Sequence, residues 1–133
     1  VQLPFLQELL GDFDLIPGVV GETSAETFSE ILETLLQDPS SLLLLSTDLS
    51  HFLSYSEAQE VDSNTARAIE SFKEEKILPE GTCGAHPLRG LLSFARNRNW
   101  NIHRLGLCNS GDTAGSKDRV VGYGAWALTE KSD

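Results

Sequence analysis

The stretch SLLLLSTDLSH, residues 41–51, decides how the rest of the chain is read. Its four consecutive leucines, Leu42 to Leu45, carry no polar alternation. A central strand buried on both faces reads this way, as in a parallel sheet covered by helices. The run is far shorter than the roughly 18–20 apolar residues needed to cross a bilayer. Polar residues follow at once: Ser46, Thr47, Asp48, Ser50 and His51. In open α/β sheets ligands bind just beyond the carboxyl ends of strands, so this polar cluster stands where a site is expected.

Upstream, the spacing predicts a helix over residues 24–37, with Ser24 as cap and Phe28, Ile31, Leu32, Leu35 and Leu36 on one face. Asp38-Pro39-Ser40 then forces a turn before the leucines. Residues 1–10 place Leu3, Leu6, Leu9 and Leu10 on another helical face, with Gly11 as its stop. Residues 13–20 are apolar and rich in β-branched side chains, and read as a strand broken by Pro17.

Downstream, Ser54 and Glu57 form a capping box for a helix reaching Phe72, carrying Ala58, Val61, Ile69 and Phe72 inward. Residues 73–80 are a charged connection. A helix over residues 82–98 turns Leu88, Leu91, Leu92 and Ala95 to one side, with Pro87 in its first turn. Residues 100–107 and 120–128 read as strands, an antiparallel edge of the sheet, joined by a Gly- and Asp-rich loop over 109–118. The pattern gives an α/β class: a mixed, mostly parallel sheet flanked by helices in a single domain, residues 1–133.

A chain of 133 residues can bury one modest core. Its net charge is −10 and its pI is about 4.6. Such a surface repels nucleic-acid phosphates and anionic lipid, which argues against both as partners. With no signal-peptide pattern and no membrane span, a cytoplasmic protein is expected. Cys83 and Cys108 form no CxxC pair and read as free thiols. The chain opens at Val1 on an apolar segment and contains no Met, which suggests part of a longer protein.

Three places carry candidate chemistry. Asp48 lies three residues before His51, so its carboxylate can orient the imidazole for proton transfer. On spacing alone, a turn cap and an ordinary loop histidine explain the pair equally well. Cys83, in TCGAHP just before a helix, would meet unpaired N–H groups that favour thiolate, the form that attacks electrophiles or binds metals. A packed, inert thiol is the commoner fate of a lone cysteine. The loop segment NSGDTAG, residues 109–115, lacks the features of a phosphate-binding loop and reads as a turn between strands. Cys108 reads as structural and His103 as a surface or edge residue. Together Asp48, His51 and Cys83 admit a nucleophilic triad or part of a metal site.

Four segments in order resemble the Memo family, known in bacteria and archaea as AmmeMemoRadiSam system protein B: VQLPFLQELLGDFDLIPGVVG, STDLSHFLSYSEAQEVD, TCGAHPLRGLL and CNSGDTAGSKDRVVGYGAWAL. The resemblance covers nearly the whole chain and implies the C-terminal half of a longer protein. That family is similar in fold to class III extradiol dioxygenases, with a metal pocket in an α/β sheet. By this resemblance Cys83 falls on a cysteine metal ligand, where the dioxygenases carry a glutamate. His51 falls on their acid/base histidine, and Asp48 on the acidic residue beside it. The family's two histidine ligands belong to its N-terminal half, so the N-terminal half is implied to be needed and the metal site to be incomplete here. A thiolate ligand favours copper or thiolate-ligated iron in the full-length protein. The functions implied are a metal-dependent, dioxygenase-like oxidoreductase or a non-enzymatic module binding a peptide or small molecule. A Cys-His-Asp thiol hydrolase stays open from the residues alone.

Overall fold

In a computed structural model of the protein, residues 1–113 and 115–131 are described. Four helices and three strands follow in the order α1 (Leu3–Leu10), α2 (Ala25–Leu35), β1 (His51–Leu53), α3 (Tyr55–Glu70), α4 (Ala85–Asn97), β2 (Asn101–Asn109) and β3 (Val120–Thr129), with short 3-10 turns at Glu74–Lys76 and Ser110–Asp112.

The local signals act as expected where a helix is concerned. Ser24 caps α2 by accepting the Thr27 N–H at 3.1 Å. The Ser54 N–H donates to the Glu57 carboxylate at 3.2 Å, closing the capping box at the start of α3. Gly11 ends α1 with φ at 70°, a conformation that costs glycine little. The Asp38 side chain accepts the Ser40 N–H at 2.8 Å and makes the predicted turn.

Helix α4 is the centre of the molecule. Ala85, Leu88, Gly90, Leu91, Leu92, Ser93, Phe94 and Ala95 are all buried. On one side Leu88 and Leu92 join Ala68, Ile69 and Ile77, with Phe72, Ile102 and Trp126 packed against them. On another, Leu91 and Phe94 join Phe28 and Leu32 of α2, covered by Leu36, Trp100 and Leu128. The Trp100 ring meets Phe94 edge-on at 5.2 Å between centroids. The α2 stripe is wider than the surface it meets: Phe28 and Leu32 are buried, while Ile31 and Leu35 stay exposed.

The sheet departs from the sequence reading. Its order is β1-β3-β2, and both described pairings are antiparallel, not mostly parallel. β2 and β3 pair from Asn101↔Thr129 to Asn109↔Gly122, as the expected antiparallel pair, with an irregularity between Arg104 and Gly106. β1 is only three residues long and adds to the other edge of β3. Residues 13–20 and 41–46 form no strand. The reason is that a strand exists by pairing, and neither segment has a ladder partner among the described residues. Leu43 and Leu45 pack on the α2–α4 cluster, but Leu42 and Leu44 are 71% and 50% exposed, so the run is covered on one side only. Leu15, Ile16 and Val19 are exposed as well. No helix among the described residues is long and apolar enough to cross a membrane.

α3 is tied to the hairpin by Glu70. Its carboxylate accepts the Arg104 guanidinium at 2.5 and 2.8 Å and the Trp126 indole N–H at 3.1 Å. The Arg104 contact is the chief reason its pKa lies below the ordinary 4.5, with Trp126 adding to it. A depressed carboxyl contributes stability above its unfolded pKa and loses it as pH falls through the folded value. Urea unfolding midpoints followed from pH 6 to about pH 3 should therefore fall less steeply in Glu70→Gln than in the parent; parallel curves would refute the assignment. Gly90 supplies a second test. A Cβ there would lie 2.6 Å from the Phe28 Cβ, which is rooted in the α2 backbone and cannot swing away. Gly90→Ala gains about 1 kcal/mol of helix propensity, against about 1–3 kcal/mol for overpacking. Net destabilisation is expected in equilibrium unfolding, and a more stable variant would show that α2 yields freely.

Candidate functional site

Two segments far apart in sequence meet at the N-terminal end of α4. One is residues 46–51, leaving the leucine run; the other is residues 82–84, entering the helix. Thr82 is fully buried and donates its hydroxyl hydrogen to the Asp48 carbonyl at 2.6 Å. The Gly84 N–H donates to the Thr47 Oγ1 at 2.8 Å. That same Oγ1 lies 3.0 Å from the Thr82 Oγ1 and 3.2 Å from the Cys83 Sγ. A side chain at position 84 would have to push Thr47 aside: its Cβ would stand 2.7 Å from the Thr47 Oγ1. Glycine here allows the two segments to close on each other.

The first segment is fixed from behind. Leu49 and Ser50 are buried, and their backbones pair with Gly122 of β3 through Leu49 N–H to Gly122 O (2.9 Å) and Gly122 N–H to Ser50 O (2.8 Å). The Ser50 N–H donates to the buried Asp62 Oδ1 at 3.0 Å. Gly122 must be a glycine for this, since a Cβ would fall 2.0 Å from the Asp62 Oδ2. The Ser50 hydroxyl is buried with no hydrogen-bond partner among the described residues.

On this support Asp48 and His51 face each other, Oδ2 to Nε2, at 3.5 Å. That separation is an ion-pair contact when the imidazole is protonated, and long for a direct hydrogen bond. Their side chains are 50% and 34% exposed, and Cys83 is exposed too, so the three stand at the surface and not in a buried pocket. His51 opens β1, and Phe52 after it takes φ of 60°, where the register of β1 against β3 shifts. A bulky residue in that conformation is strained, and such bulges re-aim neighbouring side chains. The Phe52 ring is exposed and lies under the Arg119 guanidinium at 5.0 Å.

The remaining histidines, the second cysteine and the loop segment lie elsewhere. His86 directs Nδ1 at the Thr23 carbonyl, 3.2 Å away, and fastens α4 to the loop before α2. His103 is exposed on β2, as read. The loop after β2 is a turn built from its own side chains. Asp112 accepts the Asn109 N–H at 2.8 Å and the Tyr55 hydroxyl at 2.5 Å. The Tyr55 contact, more than the Asn109 one, draws the Asp112 carboxyl below its ordinary 3.8, and the same contact raises Tyr55 above 10.0. Ala114, within this loop motif, lies outside the described residues. Cys108 is a free, exposed thiol, not the packed one its strand position suggested. It lines a cavity of about 300 Å³ with Gln59, Asp62 and Asp112, and Asp48, His51 and Cys83 take no part in that cavity.

Among the described residues no group of three or more His, Cys, Asp or Glu side chains is arranged to hold a metal ion. Cys83, His51 and Asp48 are three donors by type, but they are not gathered around one point as the roughly three protein ligands of a catalytic site are. Sequence reasoning named Thr47 only as one of the polar residues after the leucine run and overlooked Thr82 and Asp62. Thr47 and Thr82 flank the recognised residues, yet nothing in their spacing shows that they touch.

The profile of the family described as Memo-like protein matches residues 1–127. A MEMO1 family protein of Methanobrevibacter smithii is 32% identical over 135 residues, covering 92% of this chain and 48% of the relative. Another, from Thermotoga petrophila, is 34% identical over 135 residues, covering 92% and 47%. A third, from Methanosarcina mazei, is 30% identical over 138 residues, covering 94% and 52%. The chain thus spans about half the length of the curated relatives it matches. A match running through all four helices and almost to the end of β3 makes this chain a member of the Memo-like protein family.

Proposed function

We propose that the chain carries one part of the active site of a metal-dependent, dioxygenase-like oxidoreductase, in a complete protein whose remaining half supplies the other ligands. The observation that carries this reading is the Thr47 hydroxyl, which joins the segment of Asp48 and His51 to the segment of Cys83. It ties the stretch that carries the acid/base pair to the stretch that carries a soft sulfur donor, at one end of α4.

In this reading Cys83 is a metal ligand, and iron or copper supplies the redox chemistry when bound, thiolate inclining the site toward the softer choice. His51 is the acid/base group that holds or delivers a proton at Nε2. Asp48, 3.5 Å away, faces that nitrogen and limits the rotation of the ring. The surface position of all three groups is consistent with cover from elsewhere in the complete protein. The bare faces of Leu42, Leu44, Leu15 and Ile16 support the same view, since exposed apolar patches mark surfaces meant to be covered. A class III extradiol dioxygenase-like sheet, with the leucine run as an inner strand, is the architecture this reading expects of the whole protein.

The shortage of metal donors among the described residues favours a second reading, a non-enzymatic module that binds a peptide or small molecule in the same place. The two are separated by metal analysis of the complete protein. Cys83→Ser is expected to lower bound iron or copper on the order of ten-fold or more, as loss of a ligand does. Unchanged metal content would remove Cys83 from the ligand set and favour the binding module.

A further inference from the structure

Thr47 does more than hold two loops together. Counting hydrogens around it shows why. The Thr82 hydroxyl has one hydrogen and gives it to the Asp48 carbonyl across 2.6 Å. The Gly84 N–H points at the Thr47 Oγ1 and occupies one of its two lone pairs. One acceptor position is left on that oxygen, and its hydrogen goes to the Asp48 carbonyl at 3.1 Å. The Thr82 Oγ1 at 3.0 Å and the Cys83 Sγ at 3.2 Å are the other groups within its reach. The Asp48 carbonyl, with two lone pairs, also holds the shorter bond from Thr82 and keeps it when Thr47 turns away. The sulfur, exposed on its far side, is the group whose need for a donor changes with its chemistry.

We propose that Thr47 is a positioning residue for Cys83. Its oxygen, fixed by the Gly84 N–H, sets where Sγ stands, and its hydroxyl hydrogen turns to the sulfur whenever the sulfur presents a lone pair to a ligand or an electrophile. Outer contacts of this kind orient a ligating or attacking atom and stabilise the charge on it. The position allows the arrangement because residue 84 is glycine, so the hydroxyl can approach the backbone at 2.8 Å. Thr47 touches no reacting atom other than through Cys83. The inference rests on taking Cys83 as the functional sulfur.

The test uses the 133-residue chain and iodoacetamide, without metal. Alkylation rates at Cys83 and Cys108 are measured in the same tube at one neutral pH by peptide mass spectrometry. Cys108, exposed on β2, serves as the internal standard. Thr47→Val keeps the shape and removes the hydroxyl. The Cys83-to-Cys108 ratio is expected to fall on the order of five-fold, the worth of one hydrogen bond. Thr47→Ser restores the hydroxyl and is expected to bring the ratio back within about two-fold of the parent. Thermal unfolding identifies variants that fold. A folded Thr47→Val with an unaltered ratio overturns the proposal, and so does a Thr47→Ser that reacts as slowly as the valine variant. Should Thr47→Val not fold, Gly84→Ala keeps the hydroxyl but pushes it aside, and carries the same expected fall and the same refutation. Because no metal enters, failure here is distinct from unchanged metal content in Cys83→Ser.

Discussion

Everything else in this structure depends on the burial of α4. A helix with Ala85, Leu88, Leu91, Leu92, Phe94 and Ala95 all inside cannot stand at a surface; it must be packed from more than one direction. α2 approaches through Phe28 and Leu32, while α3 and the hairpin approach through Ile69, Ile102 and Trp126. Burying a large aliphatic or aromatic side chain is worth about 1.5–3 kcal/mol. These contacts therefore outweigh the surface ion pairs, such as Arg98–Glu33, by a wide margin. Gly90 is what lets α2 come close enough.

The same helix places the candidate chemistry. Its N-terminal end arrives with Cys83 just ahead of Gly84, and the polar residues after the leucine run are pinned against it by Thr47 and Thr82. Asp62 and Gly122 hold those residues from the opposite side. The candidate groups are thus held by a rigid core although they lie in the open. A short strand between two anchored ends can carry a strained Phe52 beside His51, because its neighbours determine its path.

What the sequence revealed follows from the range of the forces involved. Ser24, the Ser54–Glu57 box and the apolar stripe of α4 act within a few residues, and all three elements were legible from spacing. The β2–β3 pair was legible for a similar reason, being adjacent in the chain. Residues 13–20 and 41–46 have strand composition, but a ladder needs a neighbour that composition cannot name, so the mostly parallel sheet expected from them is not seen among the described residues. The site divides in the same way. Asp48 and His51 are three apart and their contact could be anticipated. Thr47 and Cys83 are 36 apart, and only the fold brings them together. The relation of Cys83 to the other two came from family resemblance, not from its spacing.

The leucine run has a colloidal consequence. Its inner side chains are committed to the core, so the residues that remain, Leu42 and Leu44, form a short greasy ribbon that cannot be turned inward without unpacking Leu43 and Leu45. Against it stands a net charge of −10, which pushes copies of the chain apart over about a nanometre at ordinary salt. Association of this chain is therefore a balance between such exposed apolar side chains and a like-charged coat. Salt or acid, by thinning the coat, shifts that balance toward association.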